Sequence, residues 1–122
     1  VHRQEEGSQT IAKGIADYDQ TGATMMTSYF QTMCAEACLD LGYVEEANEA
    51  IGAALDYLNI NGVRFFEPET RRIHALIGRR LGNLNSTEAL TMLDDASRIA
   101  TQQGNDWELH RIAADRRLLG SL

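Results

Sequence analysis

A short block of apolar and glycine positions recurs three times along the chain, and this recurrence limits the fold more than any other feature. Aligned on Gly22, Gly62 and Gly104, the copies are spaced 40 and 42 residues apart. Five columns line up before each glycine. Sixteen residues before it stand Glu6, Glu46 and Glu88, and fifteen before it Gly7, Ala47 and Ala89. Eleven before it are Ile11, Ile51 and Leu93, eight before it Gly14, Ala54 and Ala96, and four before it Tyr18, Leu58 and Ala100. The last four columns step by 4, 3 and 4 residues. That spacing traces one stripe of an α-helix and does not fit a strand, whose side chains alternate. Small and larger apolar residues alternate along the stripe, so a second helix can approach closely at the small ones.

The anchoring glycine suits a helix stop in the left-handed region, where a side chain clashes. Three residues after each glycine comes a large apolar residue, Met25, Phe65 and Trp107, opening the next helix. Leu41-Gly42 and Leu81-Gly82 mark the ends of two of these second helices. Pro68 fits a first helical turn, where its missing N–H costs nothing. Asn85 with Glu88 three residues on predicts a cap for the helix that follows. The map is six helices, at about 4–20, 25–41, 44–60, 67–81, 86–103 and 106–119. Short loops make sequential helices antiparallel neighbours. No helix hides its stripe alone, and stacking provides the core. The expectation is one all-α domain over residues 1–122, an α–α superhelix of roughly 40-residue repeats.

These residues resemble the tetratricopeptide repeat. Ala47, Ile51 and Ala54 match the alanine, large residue and alanine of its second helix, as do Ala89, Leu93 and Ala96. Gly42 matches the glycine that closes its first helix, and Gly82 does so with a two-residue insertion. The first helix departs from the pattern: Gln31, Cys34, Ala35 and Cys38 stand for tryptophan, leucine, glycine and tyrosine, with Ala35 keeping the small position. The stretch from Gly14 to Ala23 and the pair Phe65-Phe66 ahead of Glu69 to His74 are similar to the long repeats that follow the ATPase region of bacterial signalling proteins. Those include adenylate-cyclase-like proteins and LuxR-type transcriptional regulators. The resemblance implies a cytoplasmic, non-catalytic module that binds a protein or peptide, senses a ligand, or contacts another domain of the same parent. The starting residue, Val1, fits a piece of such a parent. A segment that only spaces or dimerises its neighbours is the competing reading.

Charge and composition exclude other classes. The net charge is −7, with ten arginines and one lysine against 18 acidic residues. A domain of that sign repels phosphates, so nucleic acid is not the expected direct partner. No apolar run nears the roughly 20 residues that span a bilayer, so no membrane is expected. No glycine-rich stretch ends in Lys-Ser or Lys-Thr, so no phosphate-binding loop and no cofactor is expected. Cys34 and Cys38 are four apart and share a helix face, where a disulfide has poor geometry. Two thiols make half a zinc site. Buried, reduced cysteines are the expectation, and a small metal-dependent enzyme using Cys34, Cys38 and His74 is the remote alternative. Neither His2, His74 nor His110 has convergent carboxylates in the pattern, and Glu45-Glu46 and Asp94-Asp95 are adjacent and diverge on a helix.

The expected binding surface is a concave groove lined by first helices, with Thr32, Glu36 and Asp40 from one and Arg72, Leu76 and Arg80 from the next. An acidic row then lies beside a basic one. Lysine and asparagine, which grip chaperone-tail carboxylates in some tetratricopeptide domains, are replaced by Thr32 and Glu36. The arginines Arg64, Arg71, Arg72, Arg79 and Arg80 form a second candidate, suited to acidic peptides or phosphates. Finally, Ile11, Ile15 and Tyr18 in the first helix and Trp107, Leu109, Ile112, Leu118 and Leu119 in the last predict a homodimer through terminal helices.

Overall fold

The computed structural model describes residues 7, 9–13, 26–61 and 64–120, and of residues 61 and 120 the backbone alone. Among them every regular element is helical. Five helices follow in order: α1 (Thr27–Asp40), α2 (Val44–Asn61), α3 (Glu67–Leu81), α4 (Ser86–Gln103) and α5 (Asp106–Gly120). Residues 9–13 are helical too, inside the expected first helix; the rest of that helix's repeat columns, Gly14 and Tyr18, and the anchors Gly22 and Gly62 lie outside the described residues. Each of the other five helices begins and ends within two residues of its expected position.

The helix ends follow from local chemistry. Gly42, Gly82 and Gly104 adopt φ of 87°, 79° and 67°, the left-handed region that L side chains rarely enter. After each, the next backbone N–H reaches back to close the turn: Tyr43 to Cys38 O at 2.8 Å, Asn83 to Gly78 O at 3.0 Å, Asn105 to Ala100 O at 2.9 Å. These bonds satisfy carbonyls that the helix end leaves open. At the start of α4, Asn85 Oδ1 accepts from Glu88 N at 2.8 Å, and Glu88 Oε1 accepts from Asn85 N at 2.9 Å. That reciprocal cap is the one the Asn85–Glu88 spacing predicts. Asn105 repeats half of it for α5, accepting from Glu108 N at 3.0 Å. Pro68 lies in the first turn of α3.

The chain divides into two compact units, 1–63 and 64–122. In the first, α1 and α2 pack as a helical hairpin. The four stripe residues Ala47, Ile51, Ala54 and Leu58 are all buried, as are Ala35, Cys38 and Leu39. In the second, α3 packs on α4, α4 on α5, and α3 also touches α5. The stripe of α4, Ala89, Leu93, Ala96 and Ala100, is buried and forms one core with Ala75, Ile112 and Leu119. The alanines bring the helix axes close; the leucines fill the space beside them. Ile11 breaks the column: it is 36% exposed where Ile51 and Leu93 are buried.

Candidate functional site

The most unusual chemistry lies where α3 meets α5. Three acids and two arginines among the described residues converge there, and three of the five, Glu69, Arg72 and Glu108, are buried. Glu69 and Arg72 sit one turn apart on α3, so the guanidinium forks onto the carboxylate: Nη2 donates to Oε1 at 2.7 Å and Nε to Oε2 at 3.1 Å. The remaining Nη1 of Arg72 donates to Asp115 Oδ2 on α5 at 2.7 Å. From α5, Arg111 Nη2 donates to Glu69 Oε1 at 3.2 Å. The outer face of Arg111 covers the ring of Trp107, 4.7 Å from its centroid, a cation–π contact. Glu108, also on α5, completes the group at 1% exposure, its carboxyl close enough to that of Glu69 for the two to influence each other's titration. Its Oε1 is 3.6 Å from Arg72 Nε, too far for a hydrogen bond, and has no hydrogen-bond partner.

The two glutamates titrate in opposite directions. Burial pushes the Glu108 carboxyl up, and the hydrogen bond with Glu69 and that residue's negative charge push it further, to about 9. Burial also raises Glu69, but hydrogen bonds with Arg72 and Glu108 and the charges of Arg72 and Arg111 outweigh it and hold this carboxyl below its usual range. Near neutral pH Glu108 is therefore a neutral acid and Glu69 an anion. A carboxyl pair of this kind resembles an acid–base dyad, but at 1% exposure Glu108 is closed to a substrate. The arrangement binds helix to helix.

The expected groove residues differ in exposure. Thr32 is buried, its hydroxyl donating to Ser28 O on its own helix at 2.7 Å. Arg72 is buried as well, and its guanidinium is engaged by Glu69 and Asp115; neither residue offers a groove surface, because both face the packed side of their helices. Glu36 and Leu76 are half-buried, while Asp40 and Arg80 are exposed. The arginine set is not one patch. Arg64 and Arg71 both hold Glu67, at 3.1 and 2.7 Å, and Arg72 belongs to the buried cluster. His74 is half-buried, and burial, then the charge of Arg71, hold its imidazole below its usual range. Cys34 and Cys38 are buried free thiols, and among the described residues no three His, Cys, Asp or Glu side chains converge to hold a metal.

The expected apolar face of the last helix is corrected. Ile112 and Leu119 belong to the core, and Leu109 packs against it. Trp107 and Leu118 remain exposed, at 62% and 67%. Eleven residues separate them, three turns of one face. In the first unit a shallow apolar hollow of about 190 Å³ is lined by Ala12, Gln31, Cys34, Ala50 and Ala53.

Sequence reasoning missed Glu69, Glu108, Arg111 and Asp115 as a group. One signal was there: Glu69 and Arg111 each stand seven residues after a repeat glycine, in the same register with opposite charge. In a stack, equivalent positions of successive repeats become neighbours. Comparison with family models, with curated proteins and with solved structures finds no match to this chain.

Proposed function

We propose that the chain is a tetratricopeptide-like α–α superhelix that binds a protein or peptide, working as a non-catalytic interaction or sensing module of a larger bacterial signalling protein in the cytoplasm. The observation that carries this reading is the pairing of α3 with α5. Helices one repeat apart lie side by side and are joined at equivalent register by Glu69 and Arg111, 42 residues apart in sequence. Helical-repeat proteins build an extended recognition face from neighbouring equivalent helices in this way. In the second unit Arg80 and Trp107 are exposed and Leu76 is half-buried, while Arg72 is buried. Exposed aromatic and arginine side chains are common anchors in protein interfaces.

Selection of a displayed peptide library on the purified chain tests the proposal. Peptides enriched on the wild-type chain should lose binding, at least tenfold, on Arg80→Glu or Trp107→Ala, with helix content unchanged by circular dichroism. Failure to enrich any peptide, or binding indifferent to both substitutions, overturns it. The second reading, a dimerising or spacing segment, draws on exposed Trp107 and Leu118 on α5. A dimer lost on Leu118→Glu, with no peptide enriched, favours that reading.

A further inference from the structure

We propose that Glu69 and Glu108 form a proton-binding site, one proton held between two carboxyls, which locks α5 onto α3 and loosens that contact when the proton leaves for solvent. The inference begins with a count of charges. Among the described residues where α3 meets α5, three carboxyls, Glu69, Glu108 and Asp115, face two guanidiniums, Arg72 and Arg111. Fully ionised, the cluster carries one uncompensated negative charge. Its members Glu69, Arg72 and Glu108 are 9%, 4% and 1% exposed, so water does little to screen that charge. A single bound proton makes the cluster neutral.

Geometry decides which carboxyl takes it. Arg72 serves Glu69 with two nitrogens and Asp115 with the third, and Arg111 adds a further bond to Glu69. Glu108 is the acid the guanidiniums leave aside: its nearest cationic nitrogen is 3.6 Å away, and its Oε1 accepts no hydrogen bond. Protonated, it donates to Glu69, the best-neutralised anion of the group. Several other charged side chains on the packed helices are engaged elsewhere. On α3, Glu67 holds Arg64 and Arg71. On α4, packed against both helices, Asp94 pairs with Arg116, Asp95 with Arg98, and Glu88 caps its own helix. The upward push on the Glu108 carboxyl agrees in direction.

Loss of the proton places two carboxylates against each other, and Arg72, already forked onto Glu69, stands 3.6 Å from Glu108. The carboxyls sit on different helices, so their repulsion acts directly on the α3–α5 contact. The cluster is thus a point at which pH, or a partner that supplies or withdraws a proton donor, sets how firmly the last helix is held. The inference does not depend on which molecule the module binds.

The test is equilibrium unfolding of the full chain against pH, followed by fluorescence of its one tryptophan, Trp107, at the start of α5. The wild-type unfolding constant should rise between about pH 5 and 9 by up to about tenfold per pH unit, the linkage of one proton held only in the folded state. Glu108→Gln, a neutral mimic of the protonated acid, should flatten that rise and be more stable than wild type at pH 8. Glu69→Gln should instead be less stable at pH 8, since Arg72 and Arg111 lose their shared anion. Equal slopes in wild type and Glu108→Gln, or equal losses in the two variants, overturn the proposal. If a variant fails to fold, carboxyl-carbon NMR of the wild-type chain decides: a Glu108 resonance titrating in the alkaline range supports the site, and titration at an ordinary carboxylate pH overturns it.

Discussion

Arg72 Nη1 donates a 2.7 Å hydrogen bond to Asp115 Oδ2 and so ties α3 to α5 across 43 residues of chain. The same guanidinium forks onto Glu69, so one side chain, 4% exposed, satisfies two acids on two helices. Arg72→Ala leaves both acids in low dielectric without their main partner. The expected loss is ~3–5 kcal/mol of stability, the range for breaking a buried ion pair. Arg72→Lys keeps the charge but cannot fork, and should recover only part of it. Urea unfolding followed at Trp107 measures both.

The acid side of the pH profile belongs to Glu69. Its folded-state pKa is lowered, so its contribution is present above the ordinary carboxylate pKa of about 4.5 and is lost as pH falls through the folded value. Glu108 has the opposite sign: its raised pKa gives stability that is full below about 4.5 and declines as pH rises toward 9. The pair therefore places its stability maximum near pH 4.5–5. Wild type should lose stability on further acidification, and Glu69→Gln should show less of that loss, in a denaturant series from pH 5 to 2.

Close packing at the small stripe positions predicts a sign that composition alone does not. Ala96 is fully buried in the core that joins α4 to its neighbours. Ala96→Leu adds bulk where helices already touch and should cost ~1–3 kcal/mol. Leu93→Ala, one turn earlier, should cost ~2–5 kcal/mol by opening a cavity. Both are read from thermal or urea unfolding.

Removal of the cap at Asn85 isolates a local term. Asn85→Ala deletes the acceptor for Glu88 N and should cost ~1 kcal/mol without altering the core. Glu88→Ala removes only the reciprocal bond to Asn85 N and should cost no more than that.

Self-association, if driven by α5, runs through Trp107 and Leu118. Light scattering over a concentration series should show a dimer weakened by Trp107→Glu or Leu118→Glu. Ile112→Glu should instead unfold the second unit, because Ile112 is fully buried. A strictly monomeric wild-type chain at high concentration removes the dimer expectation.

The helices were legible because their signals are local and repeated. Ala47, Ile51, Ala54 and Leu58 are spaced for one helical face, and burial confirms the face residue by residue. Gly82 and Gly104 stop helices because they alone among residue types enter the left-handed region at little cost. The site was less legible. The repeat register puts Arg72 on a first helix and so on a groove, whereas here Asp115, 43 residues away, meets it where it is 4% exposed. Glu108 carried no sequence mark at all: its protonation depends on burial and on a second carboxyl, and both are products of the fold.

One contact at the rim of the second unit bears on how a chain of this kind lengthens. Gln103 Nε2, at the end of α4, donates to the Arg64 carbonyl, ahead of α3, at 2.8 Å. Entry to the α3–α4 hairpin and exit from it are therefore no farther apart than a glutamine reaches. A segment whose two ends meet can be copied or cut out of a gene as a cassette, and the chain rejoins without a bridging linker. The hairpin from Arg64 to Gln103 spans 40 residues, close to the 40 and 42 at which the glycines recur.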